Sequence, residues 1–422
     1  MSTSSSSVPD DDNRSQTSTL KYEQEPFETF VDKARALLIQ EIVNDARLGY
    51  SRDFKDDDLT LTRMAGGSYN RLVGFSIYQP GTKTEDKFVL RIARGSMRLL
   101  LDDIAPLMFL RQNTDIPVPE IIKYDCSNEN EIGSPWMDQS KVEGDTILYE
   151  WTEMNHETRC AAVKQLGMVH RQCLEATSSR VGRIIPDEVF ARRTTWPVRD
   201  PWRFNIAPIR HALREDEIET GHDSSTEPYS SSASKQNTVG VLAKIFQARC
   251  HIAVEQDDIF TEEYNGKFLT TLHEMASFGI FDDMPLSLCH TDFEVRNIMA
   301  DASNAKQPVT AVLDWDEAVF APAILACRPP MWIWAWKEDE DEDEREANNT
   351  PETPENRELK SIFERAAGPV YMRFAYGTAN RLARFLVRIA IFGMHSSDLF
   401  SEAEDMFGEW SGLKADLVSR CA

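Results

Sequence analysis

The residues that could do chemistry concentrate in Leu288-Cys289-His290-Thr291-Asp292-Phe293-Glu294-Val295-Arg296-Asn297-Ile298, where His-x-Asp is followed five residues later by Asn. A carboxylate held in such a loop can accept a proton. Seventeen residues beyond Asn297, the run Val309-Thr310-Ala311-Val312-Leu313 reads as a strand ending in Asp314-Trp315-Asp316, so a strand end can aim a second carboxylate. Amide and carboxylate oxygens suit a hard cation, which makes Asn297 and Asp314 chemically apt ligands for Mg2+. Far upstream, Gly66-Gly67-Ser68-Tyr69-Asn70 stands between two β-like runs. Glycine permits the turn that brings backbone N–H groups close to a phosphate. Arg91 is an ion inside the apolar run Val89-Leu90-Arg91-Ile92 and calls for an anion, because an unpaired buried charge is costly; Asp103 is the candidate.

Each of these features has a plainer reading. A capping Asp beside a core histidine would also produce His290-Thr291-Asp292. Asp316 can add a metal ligand, but a solvent-facing or structural carboxylate is the simpler assignment, and His170 suits a satisfied histidine on an amphipathic helix. Trp332, Trp334 and Trp336 alternate, so on an extended segment they would share one face. Such a face suits a cation, but core packing is favoured for at least two of the three.

The elements that must position these groups follow from periodicity. Apolar residues at helical spacing predict a first helix over 26–48. Strands are expected at 59–64, 72–78 and 88–92, a helix at 96–113 and a further extended run at 120–124, a β-β-β-α-β order. Helical periodicity then dominates from 157 to 173 and beyond 239, interrupted by strands at 286–290 and 309–313. Residues 1–24 read as a disordered tail, 25–137 as a strand-rich domain and 138–422 as a helical one. Two polar stretches, 221–234 and 337–356, are expected to be solvated loops inserted in the second domain.

Composition narrows the function classes. The 46 Lys and Arg against 70 Asp and Glu give a formal charge of −24, which would repel a nucleic-acid backbone. Residues 337–346 alone hold eight acids and two bases, yet the remainder is still acidic. Seven scattered cysteines without a Cys-x-x-Cys pair predict reduced thiols in a cytoplasmic protein, with neither a disulfide framework nor a zinc site. No signal-peptide pattern opens the chain and no apolar run approaches the ~20 residues of a membrane span, so neither nucleic acid nor membrane is expected as a partner.

Taken in order, these motifs resemble the aminoglycoside phosphotransferase and choline kinase family, the small-molecule branch of the protein-kinase-like fold. The resemblance spans about residues 25–420. It rests on the 288–298 loop, Gly66-Gly67-Ser68-Tyr69-Asn70-Arg71, residues 88–92, Thr114-Asp115-Ile116-Pro117-Val118-Pro119, Glu143-Gly144 and Leu313-Asp314-Trp315. It implies an α+β, bilobal fold with a small β-rich N-lobe and a larger helical C-lobe. Matched position by position, it implies Asp292 as catalytic base, His290 as support of the catalytic loop, and Asn297 and Asp314 as Mg2+ ligands. Gly66, Gly67 and Ser68 would cover the ATP phosphates. Arg91 stands where a phosphate-binding Lys is usual and Asp103 where Glu is usual, while the nucleotide hinge falls near 136–142 with the polar Asp138-Gln139-Ser140. The implied activity is ATP- and Mg2+-dependent phosphorylation of a small-molecule hydroxyl, with the acidic balance favouring a cationic acceptor. A catalytically weak or silent nucleotide-binding or interaction protein on the same scaffold is the alternative. A protein kinase fits less well, since no Ala-Pro-Glu segment follows Asp314.

Overall fold

The structure, a computed structural model, describes residues 28–43, 55–64, 70–79, 83–94, 97–187, 203–207, 209, 227–228, 237–335 and 343–421. The expected tail, Gly66, Gly67, Ser68 and Trp336 lie outside these residues. The chain divides into two compact units, the first comprising residues up to Leu107 together with Pro119–Val142, the second Met108–Val118, Glu143–Asp187 and the remainder from Trp202.

In the first unit, helix α1 (Glu28–Leu38) is followed by strands β1 (Leu59–Arg63), β2 (Asn70–Gln79) and β3 (Thr84–Ala93), the part up to Leu107 of helix α2 (Met97–Asn113), then β4 (Ile121–Asp125) and β5 (Trp136–Ser140). The strands form one antiparallel sheet in the order β1-β2-β3-β5-β4. Strands β2 and β3 pair without interruption from Asn70↔Ala93 to Gln79↔Thr84. Their two-residue period collects Val73, Phe75, Ile77, Leu90 and Ile92 with Trp136 on a buried face, packed with Ala34, Leu37 and Leu38 of α1. Arg91, opposite Leu72 in register, points the other way.

Strand β5 occupies most of the span read as the hinge. Asp138-Gln139-Ser140 looks like a connector, yet residues 136–140 are hydrogen-bonded into the sheet between β3 and β4. The first unit's segment from Pro119 ends at Val142, the last residue of the 136–142 span read as the hinge. Asp138 sits opposite Leu90 and Lys123, is fully buried, and neither carboxyl oxygen accepts a hydrogen bond. Burial pushes this carboxyl well above the usual range, opposed by Lys123, which is itself 2.5 Å from a Glu41 carboxylate oxygen.

The second unit starts with β6 (Asp145–Thr146), α3 (Ile147–Glu153), α4 (His156–Glu175) and strands β7 (Gly182–Pro186), β8 (Phe204–Ala207) and β9 (Glu227–Pro228). Helices α5 (Thr238–Glu255) and α6 (Ile259–Ser277) lead to β10 (Leu286–Cys289), β11 (Ile298–Ala300), β12 (Val309–Val312) and β13 (Val319–Pro322). Helices α7 (Pro354–Ala375), α8 (Thr378–Phe392) and α9 (Ser397–Cys421) complete it. Two small sheets, β10-β13-β7-β8-β9 and β12-β11-β6, are embedded in this largely helical body. The expected α+β division, strands first and helices after, is the one observed.

The described parts of the two expected loops take up regular structure. Glu227 and Pro228 pair with β8. In the acidic stretch, Asp343 caps a 3-10 turn at Glu344–Asn348, Ala347 is buried, and Thr353 caps α7, whose first residue is Pro354. Glu344 forms an ion pair with the buried Arg384. Arg384 also donates to the carbonyls of Ile324, Phe374 and Ala375 at 2.9, 2.7 and 2.9 Å. Polar composition misleads here because the charge is consumed internally. Arg384→Met should therefore cost about 3–5 kcal/mol by removing three hydrogen bonds to carbonyls and the buried partner of the Glu344 carboxylate. Urea unfolding checks this, and a midpoint equal to that of the parent protein would show that the turn is not anchored.

Candidate active site

The loop between β10 and β11 carries the catalytic candidates, and the end of β12 lies against it. Strand β10 is fixed on α4 and the turn after it: Ser287 Oγ donates to Leu174 O at 3.0 Å, and Leu288 N donates to Ala176 O at 2.9 Å. Strand β12 is held from α4 as well, where Gln165 accepts from Val309 N at 3.0 Å and donates to Val309 O at 3.3 Å. Gly144, at φ +88°, allows a backbone approach to β11 in which a Cβ would lie 1.8 Å from Ala300 O. Glu143 O next to it accepts from Thr310 Oγ1 at 2.8 Å.

His290 ties the loop to the strand end. Its Nδ1 accepts from Asp292 N at 3.2 Å, so Nε2 carries the proton and donates to Leu313 O at 2.8 Å. The ring packs edge-on to buried Trp315 with centroids 4.4 Å apart. Burial pulls its pKa down to about 4, against the pull of the Leu313 carbonyl and of Asp292 and Asp316. The imidazole is thus neutral at pH 7, as a single-tautomer strut requires. Leu313 N completes the knot by donating to Asn297 O at 2.7 Å.

Asp292 is gripped on several sides. Asn297 Nδ2 donates to its main-chain oxygen at 2.9 Å and to Oδ2 at 2.8 Å. With the amide nitrogen so used, the oxygen is the atom that Asn297 retains for a cation. Arg296, which the sequence reading passed over, donates to Oδ1 and Oδ2 at 2.6 and 2.7 Å. Its signal was available: an acid and a base four residues apart. Glu294 is paired in turn with Arg328 at 3.0 Å. Asp314, exposed at the end of β12, has φ 61°, a left-handed conformation that Asp tolerates better than most residues. The donor set of one amide and one carboxylate oxygen fits Mg2+.

In the first unit, Arg91 meets Asp103 of α2 at 3.1 Å with both side chains largely buried, and Asn70 Nδ2 donates to the same carboxylate at 3.4 Å. The structure therefore unites His290, Asp292 and Asn297 with the strand end at Leu313–Asp314, and separately Arg91 with Asp103. His170 is a core residue: its Nδ1 bonds the Ala326 carbonyl at 3.1 Å within a cage of Phe293, Phe363 and Tyr371. Trp332 and Trp334 are buried, as core residues are.

The phosphotransferase enzyme family model matches residues 64–348. A subtelomeric hrmA-associated cluster protein of Aspergillus fumigatus is 20% identical over 407 residues, covering 85% of this chain and 78% of its own. Among solved structures, the GDP complex of wild-type aminoglycoside 2'-phosphotransferase-IIIa overlays with TM-score 0.42 at 12% identity, covering 91% of this chain and 98% of that one. Choline kinase from Cryptosporidium parvum Iowa II overlays with TM-score 0.40 at 10% identity, covering 94% and 97%.

Burial also pulls the pKa of His170 down to about 4. The unfolded chain binds protons at both histidines near pH 6.5, the folded chain only near pH 4, so stability is complete above pH 6.5 and declines as the pH falls towards 4. His170→Asn keeps a donor where Nδ1 stands but removes one titration. Its melting temperature should be lower at pH 8, through lost packing, and should fall less steeply between pH 6.5 and 4; an unchanged slope would contradict the assignment.

Proposed function

The chain belongs to the phosphotransferase enzyme family, and on that premise we propose that it transfers the γ-phosphoryl group of ATP to a hydroxyl of a small molecule. The observation that carries this reading is the knot in which His290 joins the backbone of Asp292 to the strand end that precedes Asp314. Asp292 receives the proton of the acceptor hydroxyl on a carboxylate oxygen. Asn297 limits rotation of that carboxylate through Oδ2, while the acceptor must displace a contact of the more exposed Arg296. Asn297 and Asp314 would hold Mg2+ through oxygen. The ion, when bound, neutralises phosphate charge. Arg91, oriented by Asp103, supplies a guanidinium to the phosphates, and Gly66, Gly67 and Ser68 supply backbone N–H groups. The acidic balance of the chain favours amine-bearing acceptors.

A second reading, a silent nucleotide-binding protein, draws on Arg296 Nη2, which donates to both oxygens of Asp292. A library of small hydroxylated metabolites, offered with Mg2+ and labelled ATP, separates the two. Transfer to any one of them supports the enzyme; binding of Mg·ATP without transfer supports the silent scaffold.

Two substitutions test the assigned roles. Asp292→Asn should lower turnover by roughly 10²–10⁴-fold and leave nucleotide binding nearly intact, because only proton acceptance is lost. Undiminished turnover in the purified variant would remove Asp292 from the mechanism. Asp314→Asn preserves a residue tolerant of left-handed φ and removes the charge. Mg·ATP at 100 times its Kd should stabilise the parent protein by about 2.7 kcal/mol, and the Mg2+-dependent part of that shift should vanish in the variant. A full shift in Asp314→Asn would exclude it as a ligand.

A further inference from the structure

Outside the candidate active site, three metal-ligating side chains of different chemistry converge where α4 and α7 run side by side. His156 and Cys160 are one turn apart on α4, so both project from the same face. Glu358, from the second turn of α7, reaches them: its Oε2 is 3.0 Å from His156 Nε2, which is 3.5 Å from Cys160 Sγ. All three ligand atoms lie within 4.8 Å of one another. We propose that His156, Cys160 and Glu358 form a Zn2+ site that staples α4 to α7.

The spacing carries the assignment. In a tetrahedral zinc centre with bonds of about 2.0–2.1 Å to nitrogen, 2.0–2.2 Å to oxygen and 2.3 Å to sulfur, the edges are about 3.4 Å for nitrogen to oxygen and about 3.6 Å for nitrogen to sulfur. The observed 3.0 and 3.5 Å need only small side-chain adjustments. A single ring nitrogen facing both a thiol and a carboxylate is poorly served by protons. It has one site, and as a donor it satisfies only one neighbour fully. A cation at the centre of the triangle serves all three.

Charge and scaffold agree with this. A thiolate and a carboxylate beside a neutral imidazole sum to the −2 that balances Zn2+, with water completing the shell. The helices are held at fixed separation further along, where Gly167 lets α7 approach so closely that a Cβ would stand 2.7 Å from Phe363 O. His156 and Cys160 are only partly buried and Glu358 is exposed, so the site can be loaded from solvent.

The test uses the full chain after chelator treatment, with Zn2+ for stoichiometry and Co2+ as the spectroscopic probe. One Zn2+ per chain and a thiolate-to-Co2+ charge-transfer band are expected. Cys160→Ser should abolish the band, Cys250→Ser should keep it, and His156→Ala should weaken Zn2+ binding by more than the roughly 10–100-fold that loss of an outer-shell partner costs. Should a variant fail to fold, alkylation of the parent protein decides: peptide mass spectrometry should show Zn2+ protecting Cys160 from iodoacetamide. Absence of the band in the parent protein, its survival in Cys160→Ser, or equal alkylation with and without Zn2+ would each overturn the proposal.

Discussion

The arrangement of the candidate active site depends on one imidazole that must not be charged. His290 receives a backbone N–H on one nitrogen and donates from the other to Leu313 O, so it can bridge loop and strand end only as a single neutral tautomer. Protonation would convert the Asp292 N–H contact from a hydrogen bond into a donor facing a donor. Burial against Trp315 prevents this by penalising the cation, and Trp315 is fixed by donating from Nε1 to Val312 O at 3.0 Å. The aromatic residue next to Asp314 thus acts on the loop through the histidine.

From that bridge the support extends outward through close backbone approaches. Strand β11 is locked between β12 and β6, and Gly144 exists at the entrance to β6 because any side chain there would strike Ala300 O. Helix α4 grips both sheets, through Leu174 on β10 and Gln165 on β12. Its far face meets α7 at Gly167. A helix that contacts no reacting atom therefore sets the spacing between the loop bearing Asp292 and the strand bearing Asp314.

Much of this was legible in the chain because it is local. The strands around Arg91 declare themselves by alternation, and Asp292, Asn297 and Asp314 follow apolar runs whose ends define loops. What was not legible depends on partners distant in sequence. Strand β5 hides because Asp138 breaks the apolar pattern, and nothing near residue 138 reveals that Lys123 and Glu41 surround it. Strands β7, β8 and β13 are four or five residues long and form only by pairing across large separations. Arg296 was readable from its spacing to Asp292, but the placing of its Nη2 between both carboxylate oxygens is a matter of rotamer.

The acidic stretch shows how far a charge count can be trusted. Eight acids within 337–346 suggest a surface for a cationic partner. Yet Glu344 is committed to Arg384, whose guanidinium also donates to the carbonyls of Ile324, Phe374 and Ala375. Arg345, from the same stretch, is committed to Glu409 at 2.7 Å, which also engages Arg381. A carboxylate neutralised by a buried guanidinium contributes little field at a distance. The described end of the stretch therefore works as a clamp on α8 and α9, and only carboxylates that are not already balanced within the fold can contribute a long-range field.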